Sequence, residues 1–164
     1  MRPHYRHVLV PLDGSELAAA AMRTADVLAA RFGAHLHTVS VVQSTAEVAT
    51  IRTHAAELGV DDERVHVIVG DDPAAGIDAR RGELDPCLVC LSTHGRGRLS
   101  GALVGSVARA VLTAASAPIV CVGPFADRPR PFRESYLPPP LSVPRLVACV
   151  DGGPEDEGIL PIAV

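Results

Sequence analysis

The sequence predicts an α/β protein built on a doubly wound sheet of five parallel strands flanked by helices. Short apolar runs alternate with longer segments in which apolar residues recur at helical spacing. The runs are continuously apolar, which is typical of parallel strands that are buried on both faces. Strands that alternate with helices in this way form parallel sheets with right-handed crossovers. The predicted strands are 7–12, 35–42, 64–70, 87–92 and 117–123.

The predicted helices begin and end at residues with strong capping preferences. Ser15 is suited to cap the first helix, and Gly33 to end it. The second helix is predicted over 45–58. Asp72, which a proline follows, caps the third helix. The fourth helix carries apolar residues at helical spacing and is predicted to begin near Ser106.

A ligand site is expected where the strands end. In doubly wound sheets, ligands bind beyond the carboxyl ends of the strands, at the point where the strand order reverses. In this chain those ends lie at Asp13, at 41–43, at 70–72 and at 92–97.

The composition and charge of the chain exclude several classes of function. The formal net charge of −4 over 164 residues argues against a nucleic-acid partner. All 15 basic residues are arginine, so mechanisms that need a lysine are excluded. No segment approaches the roughly 20 apolar residues of a membrane-spanning helix, and the first residues lack the pattern of a secretory signal. We therefore expect a cytoplasmic protein with no membrane partner.

Cys87 and Cys90 form a C-x-x-C pair inside an apolar run. Redox or metal chemistry would need such a pair in a loop or at a helix N-terminus, with suitable partners. We expect both side chains to act as small buried groups of a strand.

The last part of the chain has a different pattern. Residues 124–144 hold seven of the 14 prolines, which indicates an extended linker. Residues 145–160 then repeat 7–22 at a constant distance of 138 positions, with Asp151 on Asp13. Chance similarity of two strand–helix starts stays open, but we favour a tandem-domain ancestor. The predicted organisation is a domain at 1–123, a linker at 124–144 and the start of a truncated second repeat at 145–164.

A glycine-rich stretch separates the fourth strand from the fourth helix. It holds four glycines in eleven positions, more than a turn requires. Two glycines early in the stretch let backbone N–H groups approach a ligand, and two arginines add charge for a triphosphate. A glycine and a serine then start a helix whose N-terminus suits phosphate. These residues are Gly95, Arg96, Gly97, Arg98, Gly105 and Ser106.

Other glycine motifs do not match this stretch. A P-loop needs a lysine, and a dinucleotide fingerprint needs a glycine where Ser100 stands and should follow the first strand. The nucleophile elbow G-x-S-x-G is absent. A plain surface loop remains open as an alternative.

The pattern Ser92-x2-Gly95-x9-Gly105-Ser106 resembles the universal stress protein signature G-x2-G-x9-G-[ST]. The resemblance covers residues 5–123 and returns at the start of the repeat. It implies a Rossmann-like fold of the adenine nucleotide alpha hydrolase type. It also implies a stress-response module that binds ATP, ADP or AMP as a regulatory signal, with Mg²⁺ bridging the phosphates.

The resemblance also implies roles for residues at three strand ends. Asp13 matches the acidic residue that holds the ribose hydroxyls, and its alternative is a turn-forming aspartate. Val41 matches the residue whose backbone recognises adenine, and its alternative is a plain core valine. Pro11, Leu12 and Leu91 would line the pocket for the base and sugar.

Ser92 departs from the signature, which has glycine against the ribose at this position. Its side chain would either crowd the ribose or hydrogen-bond a ribose hydroxyl. A non-nucleotide interaction module that keeps the fold is therefore the alternative function. No positioned base, nucleophile pair or metal cluster predicts catalysis, so weak ATP hydrolysis, known among relatives, is the upper limit. The resemblance implies a homodimer paired through the edge strand 118–122.

Overall fold

The computed structural model describes residues 5–93, 105–114 and 117–123, all of which fall in the unit His4–Ala126. Strands and helices alternate along these residues, as the sequence predicts. The elements are β1 (His7–Pro11), α1 (Glu16–Phe32), β2 (His35–Val42), α2 (Val48–Glu57), β3 (Val65–Val69), α3 (Pro73–Glu83), β4 (Cys87–Ser92), α4 (Ser106–Ala114) and β5 (Ile119–Val122).

The five strands form one parallel sheet in the order β3-β2-β1-β4-β5. The strand order reverses between β1 and β4, because the chain first winds outward to β3 and then returns to the other side of β1. The predicted doubly wound α/β fold is confirmed.

Each face of the sheet is covered by two helices. On one face, Val8 and Val10 pack against alanines of α1, with Ala55 of α2 in the same apolar cluster. On the other face, Leu9 packs in a cluster with Ile77 of α3 and apolar residues of α4. A fully buried valine or leucine contributes about 1.5–3 kcal/mol, so these two layers stabilise the sheet that carries the site.

The predicted helix caps are present. The hydroxyl of Ser15 accepts from the N–H of Ala18 at 3.1 Å, and Gly33 ends α1 in the left-handed region at φ 65°. Asp72 accepts from the N–H of Ala75 at 3.0 Å at the start of α3. Short polar side chains thus each satisfy one free N–H group at the start of the helices that follow β1 and β3.

The second helix differs from its prediction. The predicted segment 45–58 begins with a 3₁₀ turn, Thr45–Glu47, before α2 starts at Val48. A capping box closes this turn: the N–H of Ser44 donates to Glu47 Oε1 at 3.1 Å, while the hydroxyl of Ser44 accepts from a backbone N–H of the turn. The box closes a tight first turn from which α2 continues.

The C-x-x-C pair is structural, as predicted. Cys87 and Cys90 are buried free thiols that lie in the apolar layers of opposite sheet faces. Burial raises the pKa of Cys87 to about 11 and that of Cys90 to about 12, which disfavours the reactive thiolate. Within the described residues, no helix has the length and apolar character needed to cross a membrane.

Candidate functional site

The candidate site lies where β1 and β4 end side by side. The helix that follows β1 covers one face of the sheet, and the helix that follows β4 covers the other. The two connections therefore diverge and open a crevice at the carboxyl end of the sheet.

The register places three predicted or neighbouring residues at one level of this crevice. Pro11 pairs with Val39, and Leu9 pairs with Val89. Two residues beyond the first pair lie Asp13 after β1 and Val41 in β2, and four residues beyond the second pair lie Asp13 and Thr93 after β4. The sheet thus brings Asp13 between the ends of its two neighbouring strands.

Asp13 is held by the turn that starts α1. Its Oδ1 accepts from the N–H of Ser15 at 2.9 Å, and Gly14 between them has φ 78°. The carboxyl group is half-buried. The turn-forming role that the sequence left open is therefore present, and it fixes the carboxylate at the mouth of the crevice.

The start of α4 is tied directly to the end of β4. The N–H of Gly105 donates to the carbonyl of Thr93 at 2.8 Å, and the N–H of Thr93 donates to the carbonyl of Val122 at 2.9 Å. The first-turn N–H groups of α4, which begins at Ser106 as predicted, have no intrahelical acceptor and carry the positive end of the helix dipole. This helix N-terminus opens on the same end of the sheet as Asp13.

Gly105 is not required by the fold around it. A Cβ atom placed there would meet, among the described residues, only the carbonyl oxygen of Thr93, at an ordinary contact distance of 3.5 Å. Packing within the described chain therefore leaves room for a larger side chain, whereas a ligand on the helix N-terminus would not.

The floor of the crevice is apolar and buried. Pro11, Leu12 and Leu91 are all buried, as is Ser92, which is 8% exposed. Leu12 extends the sheet by one bond, since its N–H donates to the carbonyl of Val39 at 2.8 Å. These four predicted residues lie at the ends of β1 and β4, and Leu12 and Leu91 belong to the apolar clusters of opposite sheet faces.

Val41 lies beneath α3. It is half-buried and pairs with Ile68 in the sheet. A Cβ atom added to Gly76 of α3 would come within 2.7 Å of Val41 Cγ2. Gly76 therefore lets α3 approach the sheet closely, and this contact positions Val41 from above.

Four predicted site residues lie outside the described residues: Gly95, Arg96, Gly97 and Arg98. The predicted linker and second repeat, 124–144 and 145–164, also lie outside them.

A cavity of about 450 Å³ beside the turn at Gly14 was not predicted from the sequence. Apart from Gly14, its lining comes from one side of α2. His54 Nε2 is buried and has no partner among the described residues, and its Nδ1 lies 3.8 Å from Glu57 Oε2. The helical spacing of the lining residues is the sequence feature that could have indicated this cavity. They are Ala49, Thr50, Ile51, Thr53, His54 and Glu57.

The side chains that the structure describes include no group of histidine, cysteine, aspartate and glutamate suited to hold a metal ion. Chemically, the crevice offers a fixed carboxylate, a helix N-terminus and an apolar floor.

Comparison with known sequences identifies relatives of this chain. The model of the universal stress protein family matches residues 4–54 and 43–123. A universal stress protein of Mycobacterium tuberculosis is 33% identical over 136 residues, which cover 72% of this chain and 45% of that relative. The chain thus spans less than half the length of the curated relative.

Solved structures share the fold. Universal stress protein UspA from Lactobacillus plantarum is 20% identical with a TM-score of 0.60, over 74% of this chain and 99% of that chain. A crystal structure of a universal stress protein in complex with cAMP is 25% identical with a TM-score of 0.56, over 74% of this chain and 98% of that chain.

Proposed function

The chain belongs to the universal stress protein family, and we propose that it binds an adenine nucleotide in the crevice between β1 and β4. The observation that carries this proposal is the placement of a fixed carboxylate, Asp13, and the N-terminus of α4 at the same end of the sheet. The similar structure in complex with cAMP supports a ligand of the adenine nucleotide class.

The groups at the crevice suit the parts of such a ligand. A carboxylate accepts several hydrogen bonds, so Asp13 would accept from the vicinal ribose hydroxyls while keeping the bond from Ser15. The N–H groups of the first turn of α4 would hold phosphate oxygens, with Ser106 at the helix start. The base would lie towards Val41, over the apolar floor.

Arg96 and Arg98 would approach the outer phosphates of a triphosphate. When Mg²⁺ accompanies ATP, it neutralises and bridges phosphate oxygens. The proposed activity is binding, with the occupied state as the regulatory signal in a stress response.

We also propose that the protein is a homodimer paired through β5. In the described part of the chain, β5 lies at the edge of the sheet and pairs only with β4. The open side of such a strand is a template for pairing with a second chain. Light scattering of the full chain should give the mass of two copies, and the mass of one copy would contradict the proposal.

The chain spans 45% of the length of its mycobacterial relative, which supports the proposal that residues 145–164 begin a second copy of the domain. The tandem ancestor proposed from the repeat would have two such domains.

Titration calorimetry tests nucleotide binding. ATP, ADP, AMP and cAMP would be titrated into the wild-type protein, with and without Mg²⁺. We expect a micromolar dissociation constant for at least one of them, which corresponds to a binding free energy of about −8 kcal/mol. Gly105→Val should weaken binding by about 100-fold or more, because its side chain would occupy the phosphate position. Gly82→Ala, in open space on α3, is the matched control and should bind normally.

The alternative is an interaction module without nucleotide, and Ser92 favours it. This residue is 8% exposed at the end of β4, where the family signature has glycine. Absence of binding to a folded wild-type protein would contradict the nucleotide proposal. Binding that appears only in Ser92→Gly would show that the serine closes the site, as the interaction-module alternative requires.

A further inference from the structure

A row of histidines crosses the sheet at the end opposite the crevice. His7 begins β1, His37 lies in β2 and His66 lies in β3, all on the face that α3 covers. His7 Nδ1 is 3.0 Å from His37 Nε2, and His37 Nδ1 is 3.3 Å from His66 Nε2. Arg80 of α3 completes the row, with Nη2 2.9 Å from the same His66 Nε2.

The arginine orders the protons along the whole row. A guanidinium only donates, so His66 Nε2 must carry a lone pair. A hydrogen on the facing Nδ1 of His37 shares this lone pair with Arg80 in a three-centre hydrogen bond, and it leaves Nε2 of neutral His37 as an acceptor. His7 Nδ1 must then donate to it. In this arrangement the three histidines are neutral, and the hydrogen bonds of His7 and His37 run along the row towards His66.

The surroundings oppose protonation of the row. Burial, followed by the charges of His7, His66, Arg80 and Arg64, lowers the pKa of His37 to about 4. Burial is also the largest cause that lowers the pKa values of His7 and His66. The groups that face the row from the surrounding elements are Arg6, His35, Arg52, Arg64, Glu83 and Cys87.

Only one of these neighbours favours a positive histidine. Glu83 raises the pKa of His66, but its carboxylate is already paired with Arg80. Arg80 Nε is buried without a partner among the described residues. The polar attachment of this arginine to the sheet therefore depends on its bond to neutral His66.

We propose that His7, His37, His66 and Arg80 form an acid-released latch that holds α3 on the sheet. Protonation of His66 replaces its acceptor lone pair with a hydrogen and places a second positive charge against Arg80. Protonation of His37 replaces the lone pair that faces His7 with a hydrogen and adds a positive charge near Arg80. Opening of α3 returns these histidines to water, where they protonate readily, so acid shifts the balance towards the open helix.

Hydrogen exchange of backbone amides in the full chain tests the latch. The exchange of α3 peptides, residues 73–83, would be compared at pH 7.5 and pH 5.0 after correction for the intrinsic rate at each pH. Return of His37 from a pKa of about 4 to the ordinary 6.5 makes opening about 30-fold more favourable at pH 5.0. The exchange of α1 peptides, residues 16–32, should change far less. Equal protection of α3 at both pH values would overturn the latch.

Variants separate the latch from general acid sensitivity. His37→Gln should lose most of the 30-fold response, and His54→Gln, a histidine of α2 outside the row, should keep it. If His37→Gln does not fold, Arg80→Met replaces it and should expose α3 at pH 7.5 about as much as pH 5.0 exposes it in the wild type. Wild-type protection of α3 in Arg80→Met, or a full response in His37→Gln, would contradict the proposal.

Discussion

The carboxyl and amino ends of the sheet differ in how their polar groups are arranged. At the carboxyl end, the polar groups are backbone N–H groups and short side chains such as Asp13, and they lie around an open crevice. At the amino end, three imidazole rings bond to one another and to Arg80 beneath a helix. Polar residues at strand ends therefore do not by themselves predict a ligand site. A polar group is available to a ligand when it keeps acceptor or donor capacity that its neighbours do not use.

Helix α3 contacts both ends. Its first half lies over Val41 through Gly76, and its last turns hold Arg80 against His66. Substitutions along this helix and at the two ends can thus change one end while the other serves as the control.

The largest expected effect on stability is at Gly76. Gly76→Val would force a side chain into the 2.7 Å contact with Val41, so the free energy of unfolding should fall by about 2–3 kcal/mol. Urea denaturation followed by circular dichroism measures this. Gly82→Ala in the same helix has open space and should raise the free energy of unfolding by roughly 0.5–1 kcal/mol. Equal effects of the two changes would show that the close approach of α3 to Val41 is not important.

Two substitutions at Asp13 separate its turn from its proposed contact with ribose. Asp13→Asn keeps an oxygen for the N–H of Ser15 and loses the charge, so stability should hold while nucleotide affinity falls by about 2 kcal/mol. Asp13→Ala should lose the affinity and also roughly 1 kcal/mol of stability. Calorimetric titration and thermal unfolding measure the two quantities. Unchanged affinity in Asp13→Asn would limit this residue to the turn.

The amino end should make stability depend on pH. The pKa of His37 in the folded protein, about 4, lies below the ordinary 6.5, so the unfolded chain binds more protons between these values. The stabilisation that comes from neutral His37 should therefore be fully present above about pH 6.5. The free energy of unfolding should fall by roughly 2 kcal/mol between pH 7 and pH 5. Urea denaturation across this range measures the fall. A His37→Gln curve parallel to the wild-type curve would show that another group is responsible.

The smallest of these effects concerns the cap of α1 at the carboxyl end. Ser15→Ala removes the bond to the N–H of Ala18 and should lower the free energy of unfolding by about 1 kcal/mol. Ser15→Asn, which restores a capping oxygen, should recover most of the loss. A thermal melt of the two variants decides this, since equal melting temperatures would mean that the cap bond contributes little.

Local signals accounted for most of the fold. The strands 35–42 and 87–92 have their predicted bounds, and the other three differ by one or two residues at their ends. These differences arise because strand ends depend on pairing with neighbours, which apolar runs do not show. The start of α4 at Ser106 was predicted, whereas the 3₁₀ turn before α2 was not, because a capping box marks where a helix starts and does not fix whether its first turn is α or 3₁₀.

The sequence by itself determined the alternation of strands and helices, the caps and the family to which the chain belongs. These features repeat over short distances or rest on a fixed motif, so one stretch of residues contains the whole signal. Only the tertiary structure decided which strands are neighbours, and hence that His7, His37 and His66 form a row and that Gly76 lies over Val41. The histidines are about thirty residues apart, and their contact follows from strand register, which packing of the whole sheet sets.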